Sequence, residues 1–135
     1  MTTSEAILAR VPLFSMLPKK ELAELARDAR DRTFPAGAVL TDEDEAGVSF
    51  GVIVAGRAAV SVHGRAARTL EPGDYFGEMA LIDGSYRSAK ITAETELRCL
   101  LLVAWVFRPF AMAHPETAWA LLEMMVKRVR DAETR

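Results

Sequence analysis

One stretch of the sequence holds residue types that suit a small anionic ligand: Phe76-Gly77-Glu78-Met79-Ala80-Leu81-Ile82-Asp83-Gly84-Ser85-Tyr86-Arg87-Ser88-Ala89. Gly77 has no side chain, so a ligand can approach its backbone closely. The turn expected after it exposes unpaired backbone N–H groups, and a helix start attracts anions. Glu78 is an acceptor-only carboxylate that a ligand hydroxyl satisfies. Nine positions on, Arg87 carries a planar fork that matches a phosphate. Ser88 adds a hydroxyl donor, and Ala89 leaves room. Together these parts suit a ligand with one anionic phosphate and one hydroxyl. The same two charges also fit an internal ion pair across a loop, with no ligand at all.

Other chemistries find little support. The chain has no Gly-x-Ser-x-Gly elbow, no His-Glu-x-x-His and no Walker-type loop, so no catalytic residue is assigned and no enzyme is expected. Cys99 is the single cysteine. No intrachain disulfide can form, and the apolar run Leu97 to Val103 makes it a small buried hydrophobe rather than a nucleophile. His63 and His114 lack metal-ligand spacing with each other or with Cys99, so no metal is expected. The acidic run Asp42 to Glu45 lacks the calcium-loop spacing and reads as a solvated loop. A formal net charge of −2 lacks the basic excess of a protein that lives on nucleic-acid contacts. No run approaches the ~18 apolar residues of a membrane span. Met1 to Glu5 lacks the basic start and apolar stretch of a signal peptide, so a cytoplasmic location is expected.

The elements that must position the Gly77–Ala89 stretch fall in three zones. At 135 residues the chain fits one domain of the usual ~100–200 residues, and residues 1–135 read as one unit without linker or repeat. The first zone, to about residue 30, is helical. Ser4 caps a short helix through Ile7 and Leu8 that ends near Pro12. Pro18 opens a second, with Leu22, Leu25 and Ala26 inside and Lys19, Lys20, Glu21 and Arg27 outside. The second zone, roughly 31 to 103, is cut by closely spaced turn signals, which suggests a small β barrel or sandwich. Its strand candidates are Val39-Leu40, Phe50 to Val54, Ala58 to Val62, Thr69-Leu70, Ile91 to Ala93 and Leu97 to Val103. Leu100 to Val103 is apolar throughout, so burial on both faces is expected. Gly77 to Ile82 breaks the pattern and suits one helical turn. The third zone has a short helix from Trp105 to Ala113 and a last helix opened by Pro115. On that last helix Ala118, Leu121, Leu122, Met125 and Val129 form a stripe that Trp119 and Val126 widen. So wide a stripe fits either a partner helix or a helix sunk into its own domain.

Phe76-Gly77-Glu78-Met79-Ala80-Leu81-Ile82 and Tyr86-Arg87-Ser88-Ala89 resemble the phosphate-binding cassette of cyclic-nucleotide-binding domains. Those domains occur in bacterial catabolite-activator-type regulators, in regulatory subunits of cyclic-nucleotide-dependent kinases and in gated ion channels. Phe34-Pro35-Ala36-Gly37, Val52-Ile53 with Gly56, and Leu70 to Glu78 fall in the family's order. The resemblance covers nearly the whole chain. It implies a mainly β fold with flanking α: an eight-stranded antiparallel, jelly-roll-like β roll with N-terminal helices and a C-terminal lid helix. It also implies a ligand, cAMP or cGMP, and roles for particular residues. Glu78 would accept a hydrogen bond from the ribose 2′-hydroxyl, and Arg87 would pair with the cyclic phosphate. Gly77, Met79 and Ala89 would offer backbone contacts, with Ala80 in the same set, and Ser88 a hydroxyl. Arg128 would reach the base. In some members the last helix pairs with its copy in a second subunit, so the resemblance offers a homodimer through that helix as one assembly and leaves the oligomeric state open.

The chain departs from the family pattern in places. Tyr86 stands where many members have Pro, Lys90 where many have Thr, and Asp44 where Gly is frequent. Ala132 and Glu133 occupy positions where activator-like relatives carry hydroxyls that touch adenine, so the resemblance leaves the base open. The leading expectation is a sensor whose C-terminal helix responds to a cyclic nucleotide. Two others stand beside it: the sensor part of a larger transcription regulator, channel or fused enzyme, and an interaction module that keeps the fold without ligand. Activator-like regulators continue into a helix-turn-helix. This chain stops at Arg135 without room for one, so no direct nucleic-acid binding is expected.

Overall fold

The computed structural model describes residues 3–41, 49–77, 82 and 89–134. Two helices open the chain, α1 (Thr3–Ala9) and α2 (Lys19–Asp28). Eight strands follow: β1 (Arg30–Phe34), β2 (Val39–Thr41), β3 (Ser49–Ala55), β4 (Ala58–Val62), β5 (Arg65–Leu70), β6 (Tyr75–Phe76), β7 (Lys90–Ala93) and β8 (Leu97–Val103). Helices α3 (Ala104–Ala113) and α4 (Pro115–Glu133) complete the described elements. The strands form two antiparallel sheets, ordered β1-β8-β3-β6 and β2-β7-β4-β5. This is the expected β roll with flanking helices. Among the described residues no helix is long and apolar enough to cross a membrane. No group of three or more His, Cys, Asp or Glu among them is placed to hold a metal ion.

Strand alternation decides where the apolar side chains go, because successive residues point to opposite faces. On β8, Leu97 and Cys99 face between the sheets, while Leu100 and Leu102 face the helices. On β3, Ile53 points into the roll, whereas Phe50 and Val52 point out to the helices. Two cores result. The inner one holds Ile53, Ala58, Val60, Leu70, Phe76, Ile91, Ala93, Leu97 and Cys99. The outer one packs α1, α2, α3 and α4 on the first sheet through Leu8, Phe14, Leu22, Leu25, Phe107 and Leu121. Within Leu100 to Val103, burial on both faces is incomplete, since Leu101 and Val103 are only partly buried.

Several local expectations shift. α1 already includes Thr3, so Ser4 sits inside the helix rather than capping it. Pro18 is the residue before α2, with extended backbone (φ −55°, ψ 147°), not its first helical position. Glu21 turns inward rather than to solvent (see below). The connection between α1 and α2, which has no helical or strand periodicity in the sequence, sends several side chains into the helical layer. Val11, Leu13 and Phe14 are fully enclosed there, and Phe14 meets Phe50 edge to face at 5.4 Å. Strands β1 and β6 were absent from the candidates. β1 carries charged and polar residues that are exposed up to Phe34, and β6 is two residues long.

Helix α4 divides its apolar residues differently from the expected stripe. Thr117 and Leu121 are buried, with Met124 and Met125 packed partly against the outer core. Trp119, Leu122, Val126 and Val129 stay 52–65% exposed. The helix is therefore not sunk into its own domain.

Candidate functional site

The approach to Gly77 is built by a tight turn. Pro72 and Gly73 occupy its centre, with Gly73 at φ 95°, and the Asp74 N–H closes it onto the Glu71 carbonyl at 2.9 Å. Proline presets φ for the third-from-last position of such a turn, and glycine takes the positive φ that follows. The Asp74 carboxylate accepts the Glu71 N–H at 2.8 Å. The turn is then tied to β3, because the Ile53 N–H donates to the Asp74 carbonyl and the Gly73 N–H donates to the Ile53 carbonyl, each at 2.9 Å. This fixes Tyr75 and Phe76 beside Val52 and Gly51.

Phe76 points into the inner core and lies across Gly51, where a Cβ would run into its ring. Tyr75 points the other way and packs against the outer core, 6.0 Å from the Phe50 ring. Gly77 follows in the left-handed region at φ 80°. Glycine at this position thus has a conformational reason as well as the steric one read from the sequence. The far end of the stretch returns at Ala89, partly buried against the same inner core as Phe76, and continues into β7. Residues 77–89 therefore leave the edge strand of one sheet and re-enter an interior strand of the other.

Of the residues expected to bind ligand, Gly77, Ala89 and Arg128 are described. Glu78, Met79, Ala80, Arg87 and Ser88 lie outside the described residues. So does most of the expected helical turn, of which Ile82 is helical and exposed. The Arg128 guanidinium donates through Nη2 to the Tyr75 hydroxyl at 3.0 Å. It is thus one hydrogen bond from the residue two before Gly77. The sequence brought Arg128 forward but missed Tyr75, whose signal was an aromatic hydroxyl immediately ahead of Phe76-Gly77. It also missed Gly51, which nothing in its local sequence distinguishes.

The chemistry of the remaining groups is quiet. Burial pushes the Cys99 thiol up to about 11, so it stays protonated and unreactive at neutral pH. A cavity of about 650 Å³ opens elsewhere, between the segment before α2 and the α3–α4 joint, lined by Met16, Leu17, Glu21, His114 and Thr117.

Comparison with known proteins agrees with the geometry. The family model described as "Cyclic nucleotide-binding domain" matches residues 31–114. A cyclic nucleotide-gated potassium channel of Rhizobium etli is 38% identical over 122 residues, covering 90% of this chain and 34% of the channel. A cAMP-dependent protein kinase regulatory subunit of Emericella nidulans is 39% identical over 97 residues, covering 70% of this chain and 23% of that protein. The chain thus spans about a third or less of the length of these relatives. Among solved structures, the N-terminal domain of a transcriptional regulator from Streptomyces coelicolor A3(2) superposes with a TM-score of 0.84 at 29% identity, covering 93% of this chain and 94% of that one.

Proposed function

The chain belongs to the cyclic nucleotide-binding domain family, and from that premise we propose that residues 1–135 fold as one regulatory sensor that binds cAMP or cGMP in the cytoplasm and catalyses nothing. The observation that carries this reading is the matched span, residues 31–114, which encloses the Gly77–Ala89 stretch together with both of its anchors, Phe76 and Ala89. In it Glu78 takes the ribose 2′-hydroxyl and Arg87 the cyclic phosphate. Gly77, Met79, Ala80 and Ala89 line the sugar and phosphate, and Ser88 donates a hydroxyl. A hydrogen bond to a charged group contributes ~1.5–3 kcal/mol. Two of them fall short of the ~8 kcal/mol of micromolar binding. Backbone donors and burial of the purine beneath α4 supply the remainder, with Arg128 of α4 bonded to Tyr75, two residues before Gly77. Ligand favours a closed pose of α4 because the base contacts exist only in that pose.

Calorimetric titration with cAMP and cGMP tests the assignment. Wild type binds at least one of them, and Arg87→Ala weakens that binding about a hundredfold while leaving the thermal midpoint unchanged. Unchanged affinity in the variant would refute the pocket. Silence of the wild type toward both nucleotides would favour an interaction module instead.

A second assignment rests on the exposed face of α4. Trp119, Leu122, Val126 and Val129 recur at spacings of three and four residues and are 52–65% exposed, the pattern of a two-helix seam. We place the same helix of a second copy against it. Sedimentation at rising concentration should show a dimer that Val126→Glu disperses; a monomer throughout would sink the homodimer.

A further inference from the structure

A single residue, His114, separates α3 from α4. Its N–H donates back to the Phe110 and Ala111 carbonyls at 3.2 and 3.3 Å, and its own carbonyl accepts from the Ala118 N–H at 3.0 Å. The last bond of one helix and the first of the next both pass through it. Its imidazole points at α2. Nδ1 lies 2.8 Å from Oε1 of Glu21, and Nε2 lies 2.8 Å from Oε2 of Glu24. The Thr117 hydroxyl, from the first turn of α4, donates to the same Glu21 carboxylate at 2.8–2.9 Å. Among the described residues Thr117 is the one buried polar side chain, and the Glu21 side chain is only 14% exposed. Glu21 therefore holds both the joint and the start of the helix beyond it.

A neutral imidazole has one N–H and one lone pair, while the imidazolium has two N–H donors. With a carboxylate 2.8 Å from each nitrogen, a neutral ring would set its lone pair against a carboxylate oxygen. Only the protonated ring donates to both. Among the described residues, the groups that line its surroundings are acidic or uncharged. α2 presents the acids Glu21 and Glu24, and α4 presents Thr117 and Glu116, the latter lining the cavity that His114 shares. α3 contributes the Phe110 ring at 4.7 Å, and the segment before α2 contributes the uncharged Met16, Leu17 and Pro18.

We propose that His114 is a proton-dependent pin of the α3–α4 joint, a positioning residue that ties the start of α4 to α2 when its ring is protonated and drops one of the two ties when it is neutral. The sign follows from the donor count: the ring with two N–H groups ties to both carboxylates and the ring with one ties to a single carboxylate, so the second tie belongs to the acid side. If α4 is the nucleotide lid, as proposed above, its pose would then depend on pH. The test uses no nucleotide, so the two ideas fail separately.

Urea unfolding of the full chain is compared at about pH 5.5 and about pH 8, where imidazole changes charge and glutamate does not. The wild-type folding constant is expected to fall about tenfold between the two. His114→Gln is expected to change less than about twofold, and Glu24→Gln, at the exposed rim, to show an intermediate fall. His63→Gln serves as control and keeps the wild-type fall. Amide exchange at Ala118 in the wild type, corrected for intrinsic rates, should lose protection over the same interval. An equal pH response in wild type and His114→Gln overturns the pin, as does its loss in His63→Gln. Should His114→Gln not fold, a Glu24→Gln response identical to wild type, with steady Ala118 protection, overturns it equally.

Discussion

The inner and outer cores share strands β3 and β8 but are assembled from very different spans of chain. The inner core draws on residues from Ile53 to Cys99, so the roll is closed by strands near one another in sequence. The outer core joins Leu8 and Phe14 to Phe107 and Leu121, bringing both ends of the chain onto one sheet. The Gly77–Ala89 stretch hangs from the inner core, while α4 belongs to the outer one. Tyr75 and Phe76, adjacent in sequence, bury into one core each. The path from Gly77 to α4 is therefore short: it crosses from one face of β6 to the other.

The comparison breaks most severely at Phe14, a fully buried ring touching Phe50 and Phe107. Phe14→Ala should cost about 3–5 kcal/mol, and the cost should fall on the helical layer first. Two probes separate the layers. Far-UV dichroism follows the helices, and thiol labelling of Cys99, buried and poorly ionised in the inner core, follows opening of the roll. In the variant, helical signal should be lost at lower urea than Cys99 becomes reactive. Coincident transitions would mean that the two cores are one cooperative unit and that their separation is only geometric.

The next largest effect is expected at the crossing itself. Gly51→Ala sets a methyl against the Phe76 ring, an overpacking that costs about 1–3 kcal/mol. Because Phe76 carries Gly77 directly, nucleotide affinity should fall along with stability. Val60→Ala, buried in the inner core on β4 of the other sheet, removes methyl groups without changing the Gly51–Phe76 pair and should lower stability while sparing affinity. Equal affinity loss in both variants, measured by calorimetry, would show that general loosening, and not the Gly51–Phe76 contact, governs the stretch.

What could be read from the sequence follows the same division. Strands β4 and β8 were legible to the residue, because β4 lies between the turn signals Gly56-Arg57 and His63-Gly64 and β8 is apolar at every position but Arg98. β1 was not, because an edge strand held by ladder bonds and an ion pair needs no apolar signature. The buried connection around Phe14 looked like an ordinary loop, because its partners lie on β3 and α3, about 36 and 93 positions away. At the site, the glycine and the pair of charges stood out by type and spacing. Tyr75 and Glu21 did not, since their partners Arg128 and His114 are brought in only by the packing of α4.

A smaller test concerns the bond from Arg128 to the Tyr75 hydroxyl. Tyr75→Phe keeps the ring in the outer core and removes the acceptor. The expected cost is about 1 kcal/mol, below the usual value for a charged partner because the guanidinium can turn to water. Amide protection in the last two turns of α4 should drop roughly fivefold, with no change in the strands of the roll. If the strands lose protection to the same degree, the hydroxyl serves the whole fold rather than the seating of the helix.

The smallest effect is expected at Asp31, on the outer surface of β1. Its two oxygens share the single Nε–H of Arg98, at 2.9 and 3.0 Å, and one of them also accepts from Nη2. The hydrogen bonds from Arg98 hold the Asp31 carboxyl below its ordinary value of 3.8. A group whose folded pKa is depressed contributes stability above its unfolded pKa and loses it as pH falls through the folded one. Wild type should therefore exceed Asp31→Asn slightly at neutral pH, and the gap should close on acidification below about pH 4. Both side chains are nearly half exposed, so salt should also narrow the gap. Urea midpoints for the two proteins, taken at neutral and acid pH in low and high salt, check this. A gap that ignores both pH and salt would mean that Asp31 supports the edge strand through its shape and not its charge, and β1 would then rest on its backbone ladder to β8 and on Phe34, which packs against the inner core.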